Sequence, residues 1–272
     1  ESAPFFSSKM KTHLEKMSLV WLGILLFLSY LLPNHYSPWL SFHQELAAAI
    51  AFGPLLVWAS NWAAAIPVIT YGAALLALVP LLQVATEQLY FATDGWMAFL
   101  YLMGFALAAH AGAQGAFTPL SGRNSSPSQV EVIWVAILCA ALVSTGLAMN
   151  QWLVPSYGGI YIAEIPPDSR PFANLAQPNQ LATLLLLGSA GLAYLWEASR
   201  LRKTYAMAAL FLLLWALVMT GSRSVLLALL WFVPAYALMR KRCHLRTKPV
   251  AVIFAVVFYF AMTWLWPILD DV

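Results

Sequence analysis

Charge is scarce in this sequence. Only 9% of its 272 residues are Asp, Glu, Lys or Arg, whereas 62% are hydrophobic and the mean hydropathy is +0.75. A water-soluble core of this size would need far more charged surface, so a soluble globular protein is excluded. Period-two alternation is also missing, and with it the signature of a membrane β-barrel. Of the two cysteines, Cys139 lies inside an apolar run and Cys243 in a basic stretch. Neither has the neighbours of a structural disulfide or a metal site. Nor can a Ser/His/Asp set, a Cys/His ligand spacing or a glycine-rich phosphate loop be assembled, so the residues point to no metal and no cofactor.

What is present is a series of apolar runs, each long enough for the roughly 18–20 residues that a bilayer demands. They predict an all-α, polytopic helical membrane protein with about nine transmembrane helices. The spans fall near 17–32, 45–60, 64–84, 93–112, 130–149, 180–198, 204–220, 223–239 and 249–267. Residues 1–16 read as an N-terminal segment whose first nine residues, ahead of Met10, are a processing or expression remnant. Residues 17–272 read as one transmembrane domain, and "WPILDDV", stopping just after a span, reads as a truncation of a longer protein.

The basic residues orient the chain. If the N-terminus with Lys9, Lys11 and Lys16 is cytoplasmic, the other cytoplasmic loops hold Arg123, then Arg200, Arg202 and Lys203, then Arg240, Lys241, Arg242, Arg246 and Lys248. This clustering in short loops also makes topology, rather than nucleic acid, the cause of the net charge of +3. Of the 14 basic residues, only Arg170 and Arg223 fall on the far side, each at the entry of a span.

Arginine is costly in hydrocarbon, about 2.5–3.5 kcal/mol at bilayer centre on the lenient scale. Two such residues against the topological bias suggest a shared anion. The alternative for Arg170 is a side chain that snorkels to the headgroups or pairs with Asp168 or Glu164. In "MTGSRSVLLALLWF", Gly221 ends one span, Ser222 is a plausible N-cap of the next, and Ser224 follows Arg223, so the positive end of a helix dipole faces the same edge. In "RPFANLAQPNQLATLL", Asn174 or Gln177 could cap the next span, Pro178 suits its first turn, and Asn179 and Gln180 add amides for hydroxyls or phosphate oxygens. Two guanidiniums and two helix starts could hold a diphosphate, because guanidinium pairs bidentately with phosphate oxygens where lysine is a point charge.

The segment 155–180 is too rich in Pro and Gly to continue a span and reads as an ordered or partly re-entrant far-side loop. Tyr157, Tyr161 and Phe172 could stack on sugar rings or belong to an interfacial aromatic belt. Glu87 and Asp94 bracket another far-side turn, where either is a general base, an arginine partner or a solvated loop residue. His35 and His43 read as loop histidines, and His110 as a packed one.

At these motifs the chain resembles the bacterial O-antigen ligase superfamily, and within it the pilin-type protein O-oligosaccharyltransferases. "RPFANLAQPNQLATLLLLG" is similar to that subfamily's signature of arginine and asparagine followed by Gln-Pro-Asn and an apolar helix. "TGSRS", Thr220 to Ser224, resembles the Ser-Arg that opens a later span in the wider superfamily. The apolar layout around "YFATDGWMAFLY" follows the same pattern, so the likeness covers most of the chain. The resemblance implies a glycosyltransferase C-like fold in the bacterial inner membrane. It implies transfer of a preassembled glycan from undecaprenyl diphosphate to a hydroxyl of a pilin-like protein or of a lipid A core sugar, at the periplasmic face and without a cofactor. It also implies a large periplasmic loop beyond Val272 that carries the catalytic base, a histidine.

Arg170 and Arg223, with Ser222 and Ser224, are then the expected diphosphate ligands, and Asn174, Gln177, Asn179, Gln180 and Asp94 the glycan-binding or helix-capping polar residues. Two other activities stay open. An O-antigen polymerase would share the donor and take another lipid-linked glycan as acceptor. A transporter or flippase of an anionic lipid-linked substrate would predict mid-membrane charges and internal repeats, which the sequence does not display.

Overall fold

The computed structural model describes residues 8–33, 41–58, 66–115, 128–154, 161–166, 169–175 and 177–270. The described residues form nine helices and no strand: α1 (Ser8–Leu31), α2 (Phe42–Trp58), α3 (Val68–Ala85), α4 (Ala92–Gly115), α5 (Gln129–Leu153), α6 (Pro178–Glu197), α7 (Lys203–Thr220), α8 (Arg223–Arg242) and α9 (Pro249–Asp270). Each of the nine expected spans corresponds to one of them, and the protein is an all-α, polytopic membrane protein. Six helices, α3, α4, α5, α7, α8 and α9, contain a stretch long and apolar enough to cross a bilayer. Among the fully described residues, α1, α2 and α6 hold no such stretch. The apolar part of α1 is Lys16–Leu31, α2 opens on His43, Gln44 and Glu45, and α6 opens on Asn179 and Gln180 and ends on Glu197.

The helix boundaries follow from local chemistry. Ser128 caps α5 in a reciprocal box, its side chain accepting from Glu131 N while Glu131 accepts from Ser128 N. Pro178 occupies the first turn of α6, where its missing N–H costs nothing. That helix ends with Arg200 N bonded to Leu195 O at 2.9 Å and Ser199 N to Trp196 O at 3.0 Å, with Ser199 at φ 60. This is a Schellman closure made without the usual glycine.

Contacts divide the chain into two compact units, residues 1–51 with 121–272, and residues 52–120. In the second, α3 and α4 form an antiparallel hairpin closed by a turn in which Glu87 takes φ 54 and Gln88 N bonds Gln83 O at 2.9 Å. The pair packs closely at Gly95, where a Cβ would fall 3.1 Å from Pro80 O. In the first unit α5, α6 and α7 form the core. Ala140, Ala141 and Ala148 of α5, Leu181 and Leu185 of α6, and Leu213 and Ala216 of α7 are all fully buried. Small residues set the spacing of α5 and α6: a Cβ on Gly188 would lie 2.5 Å from Ala141 Cβ, and one on Gly191 3.0 Å from Trp134 O. α1 packs on α5, α8 on α6 and α9 on α7. The exposed Leu230 and Trp231 of α8 and Ile253, Val257 and Trp264 of α9 form a surface suited to lipid.

Hydrogen bonds fix which helix ends lie together. Glu131, at the start of α5, pairs with Arg200, just after α6. Glu197, at the end of α6, accepts from Arg246 N at 2.6 Å, Thr247 N at 2.9 Å and Thr247 Oγ1 at 2.5 Å in the α8–α9 turn. Arg246 stacks over Trp196 at 4.3 Å. At the opposite end Arg170 reaches the end of α7, and Asn174 reaches Leu31 at the end of α1. The first end therefore carries the starts of α1 and α7, the end of α8 and their lysines and arginines. Arg170 and Arg223 sit at the other, as the distribution of basic residues predicted. Arg123 lies outside the described residues.

Candidate functional site at the meeting of three helix ends

The turn between α7 and α8 is built by Gly221 and Ser222. Gly221 takes the left-handed conformation, φ 53, which costs an L-residue roughly 1–2 kcal/mol and glycine almost nothing. Ser222 then caps α8 as the sequence indicated, its Oγ accepting from Ser224 N at 3.3 Å. Arg170 closes the end of α7. Its Nη1 donates to Thr220 O at 3.0 Å and to Gly221 O at 2.7 Å, carbonyls with no partner inside the helix and at the negative end of its dipole. A Cβ at Gly221 would meet Arg170 Cδ and Nη1 at 3.1 Å each. Of the two carboxylates considered as partners for Arg170, Asp168 lies outside the described residues and Glu164 makes no ion pair with it. The arginine's partner here is backbone.

The start of α6 joins the same turn. Asn179 Oδ1 accepts from Ser222 Oγ at 2.8 Å, and the Ser222 and Ser224 hydroxyls lie 2.7 Å apart. Because Ser222 has one proton and gives it to Asn179, the bond between the two serines runs from Ser224. Both hydroxyl protons are thus used inside the turn, and the serines organise it. Arg223 is left exposed at the first turn of α8, and among the described residues its side chain has no hydrogen bond or ion pair. The two motifs, separated by some fifty residues, are brought together here.

Two expectations about capping are corrected. Asn174 does not cap α6: it is 2% exposed, and its Nδ2 donates to Leu31 O at 2.6 Å and Tyr161 O at 2.8 Å while its Oδ1 accepts from Ala163 N at 3.0 Å. It is consumed in tying the end of α1 to the loop, because burial obliges an amide to satisfy itself. Gln177 does occupy the N-cap position of α6, but its side chain makes no capping bond. Gln180 is exposed in the first turn of α6. Asp94 lies in the second unit, exposed in the first turn of α4, where a carboxylate complements the helix dipole. Tyr161 is exposed and Phe172 half-buried, whereas His35 and Tyr157 lie outside the described residues.

Two polar residues not singled out from the sequence hold the loop. Gln151, in the last turn of α5 and 3% exposed, donates from Nε2 to Ala163 O and Ala173 O, both at 2.8 Å. Its Oε1 accepts from Phe172 N at 3.1 Å and Ala173 N at 2.7 Å. Gln44 of α2 donates to Leu32 O at 2.7 Å and Asn174 O at 3.1 Å. The available signal was an amide at the edge of an apolar run, whose partners are invisible until the chain folds.

Fold and site together define a polytopic helical membrane protein in which two arginine-bearing segments converge at one end of a helix bundle. The family model described as protein glycosylation ligase matches residues 171–196, the loop and α6 of this site. The chain is 28% identical over 260 residues to the general O-oligosaccharyltransferase of Acinetobacter baylyi (strain ATCC 33305 / BD413 / ADP1), covering 92% of this chain and 43% of that protein. It thus spans less than half the length of the curated relative it matches. No solved structure matches it. Both comparisons bear out the resemblance to the protein O-oligosaccharyltransferases.

Proposed function

We propose that this chain is the donor-binding part of a membrane oligosaccharyltransferase. It would move a preassembled glycan from undecaprenyl diphosphate to a hydroxyl of a pilin-like protein, at the periplasmic face of the bacterial inner membrane, with its N-terminus cytoplasmic. The helices would form a glycosyltransferase C-like scaffold. The observation that carries this reading is the convergence of the Arg170 loop, the start of α6 and the Ser222–Ser224 start of α8, which leaves the Arg223 guanidinium exposed. A lipid A core sugar is the other acceptor that the resemblance admits, and the family model described as protein glycosylation ligase favours a protein acceptor.

In this mechanism Arg223 pairs with the diphosphate, and the amide end of α8 adds its dipole. Asn179, Ser222 and Ser224 hold that helix start in place, while Arg170 locks the preceding turn and adds positive charge. The acceptor oxygen attacks C1 of the first sugar and the C1–O bond to the phosphate breaks. The diphosphate departs with the electron pair, and the hydroxyl proton passes to a general base. Charge grows on the leaving oxygen as that bond breaks, which is where a fixed guanidinium lowers the barrier. Tyr161, exposed in the loop that Asn174 ties down, offers a face on which a sugar ring can stack.

The test is transfer by the intact protein supplied with undecaprenyl-diphosphate-linked glycan and offered pilin or lipid A core. Arg223→Ala should lower the rate by about 10²–10³ while the protein remains inserted. Unchanged transfer would make Arg223 a headgroup anchor. Glycan crossing the bilayer with no acceptor present would favour a transporter.

A further inference from the structure

We infer that Gln151 is the positioning residue of the Arg170 segment: from the end of α5 it fixes the backbone kink that sets where Arg170 meets the α7–α8 turn. The consequence for transfer rests on the function proposed above; the positioning itself does not.

Three observations carry it. Ala173 is fully buried and takes φ 55, a conformation that disfavours any residue with a Cβ and so persists only where its surroundings impose it. Gln151 imposes it. Its Oε1 accepts from the amides of Phe172 and Ala173, and its Nε2 donates to the carbonyl of Ala173 and to that of Ala163, across the loop. All four of these bonds are within 3.1 Å. Only Pro171, with its restricted φ, and Phe172 separate the kink from Arg170. Displacement of the kink therefore moves Arg170 relative to Thr220 O and Gly221 O.

A lone structural bond would need only one of these contacts. The side chain instead reads donor and acceptor of the same residue, Ala173, and so specifies its rotation as well as its place. Glutamate at this position would keep the acceptors and lose both donations; alanine would lose everything.

The test has two readouts on the intact protein. First, with Cys139 and Cys243 replaced by alanine and serine, Arg170→Cys is labelled with a membrane-impermeant maleimide, with and without Gln151→Ala. A several-fold change in labelling rate is expected. An unchanged rate overturns the inference. Second, transfer is measured for Gln151→Ala, Arg170→Ala and both together. Since misplacement of about 1 Å can cost about 10²-fold, Gln151→Ala should lose activity and should add nothing to Arg170→Ala; additive losses overturn positioning through Arg170. Should Gln151→Ala fail to insert, Gln151→Glu replaces it in both readouts, with a smaller change of the same sign expected and no change counting against the inference. If labelling shifts while Arg170→Ala transfers normally, Arg170's part in the proposed transfer falls and the positioning stands.

Discussion

Arg170 and Gly221 are matched to one another. The guanidinium Nη1 lies 2.7 Å from Gly221 O, and the space a Cβ would fill at Gly221 is bounded by Arg170 Cδ and Nη1. The arginine sits where the helix end has unpaired carbonyls, and the left-handed turn favours glycine at 221, where a side chain would also crowd the arginine.

Gly221→Ala should therefore be costly beyond the roughly 1–2 kcal/mol of the left-handed conformation, since the added methyl also pushes Arg170 off the carbonyls. Thermal unfolding of the detergent-solubilised protein should show a larger drop for this variant than for Gly221→Ala combined with Arg170→Ala measured against Arg170→Ala. Equal drops would mean that the steric contact contributes nothing.

Arg170→Ala removes charge-assisted bonds to two carbonyls, each of a kind worth about 1.5–3 kcal/mol when buried and less at this exposed site. Arg170→Lys should recover part of the loss, because an ammonium can reach the carbonyls but lacks the planar fork. Denaturation midpoints ordered wild type, lysine, alanine are expected; a lysine variant as weak as alanine would show that fork geometry decides.

At the opposite end, Glu131 and Arg200 are nearly buried, with side-chain exposures of 9% and 16%. Glu131 also completes the cap of α5. Arg200→Ala strands that carboxylate and should destabilise by about 3–5 kcal/mol. Unfolding of Arg200→Ala compared with Arg200→Ala combined with Glu131→Gln checks this, and an equal deficit in the two would mean that lost packing, not lost charge, is responsible.

Gly188 lies against Ala141 with no room for a methyl group, since its Cβ would fall 2.5 Å from that of Ala141. Gly188→Val should force α5 and α6 apart and destabilise by about 1–3 kcal/mol or more. It should also loosen the Gln151 clamp, because Gln151 belongs to α5 and the loop it grips leads into α6. Proteolysis within 161–175 should then speed up. Protection equal to wild type would show that the clamp does not depend on helix spacing.

Most of the helical architecture was legible from apolar runs alone, and the position of Pro178, the Ser222 cap and the Gly221 turn were legible from single residues. The charge-bearing end was too: the clustering of lysine and arginine separated Arg170 and Arg223 from the rest, and the folded chain puts them at one end. Capping by Asn174 was not, because an asparagine four residues before a helix looks the same whether it bonds that helix or another. Its actual partners, Leu31 O, Tyr161 O and Ala163 N, lie up to 143 residues away. Gln151 was missed for the same reason.

Composition by itself determined that the chain is helical and spans a membrane, since hydrocarbon leaves the backbone no other way to satisfy its own hydrogen bonds than a helix or a closed barrel, and the barrel's alternation is absent. The order of the basic residues along the chain also separated the two arginines from the others. Tertiary structure alone decided their surroundings. Arg170 is engaged by backbone carbonyls at 2.7 and 3.0 Å while Arg223 stays exposed at a helix start, a difference set by which helix ends meet, and that depends on the packing of α5, α6 and α7 rather than on either motif.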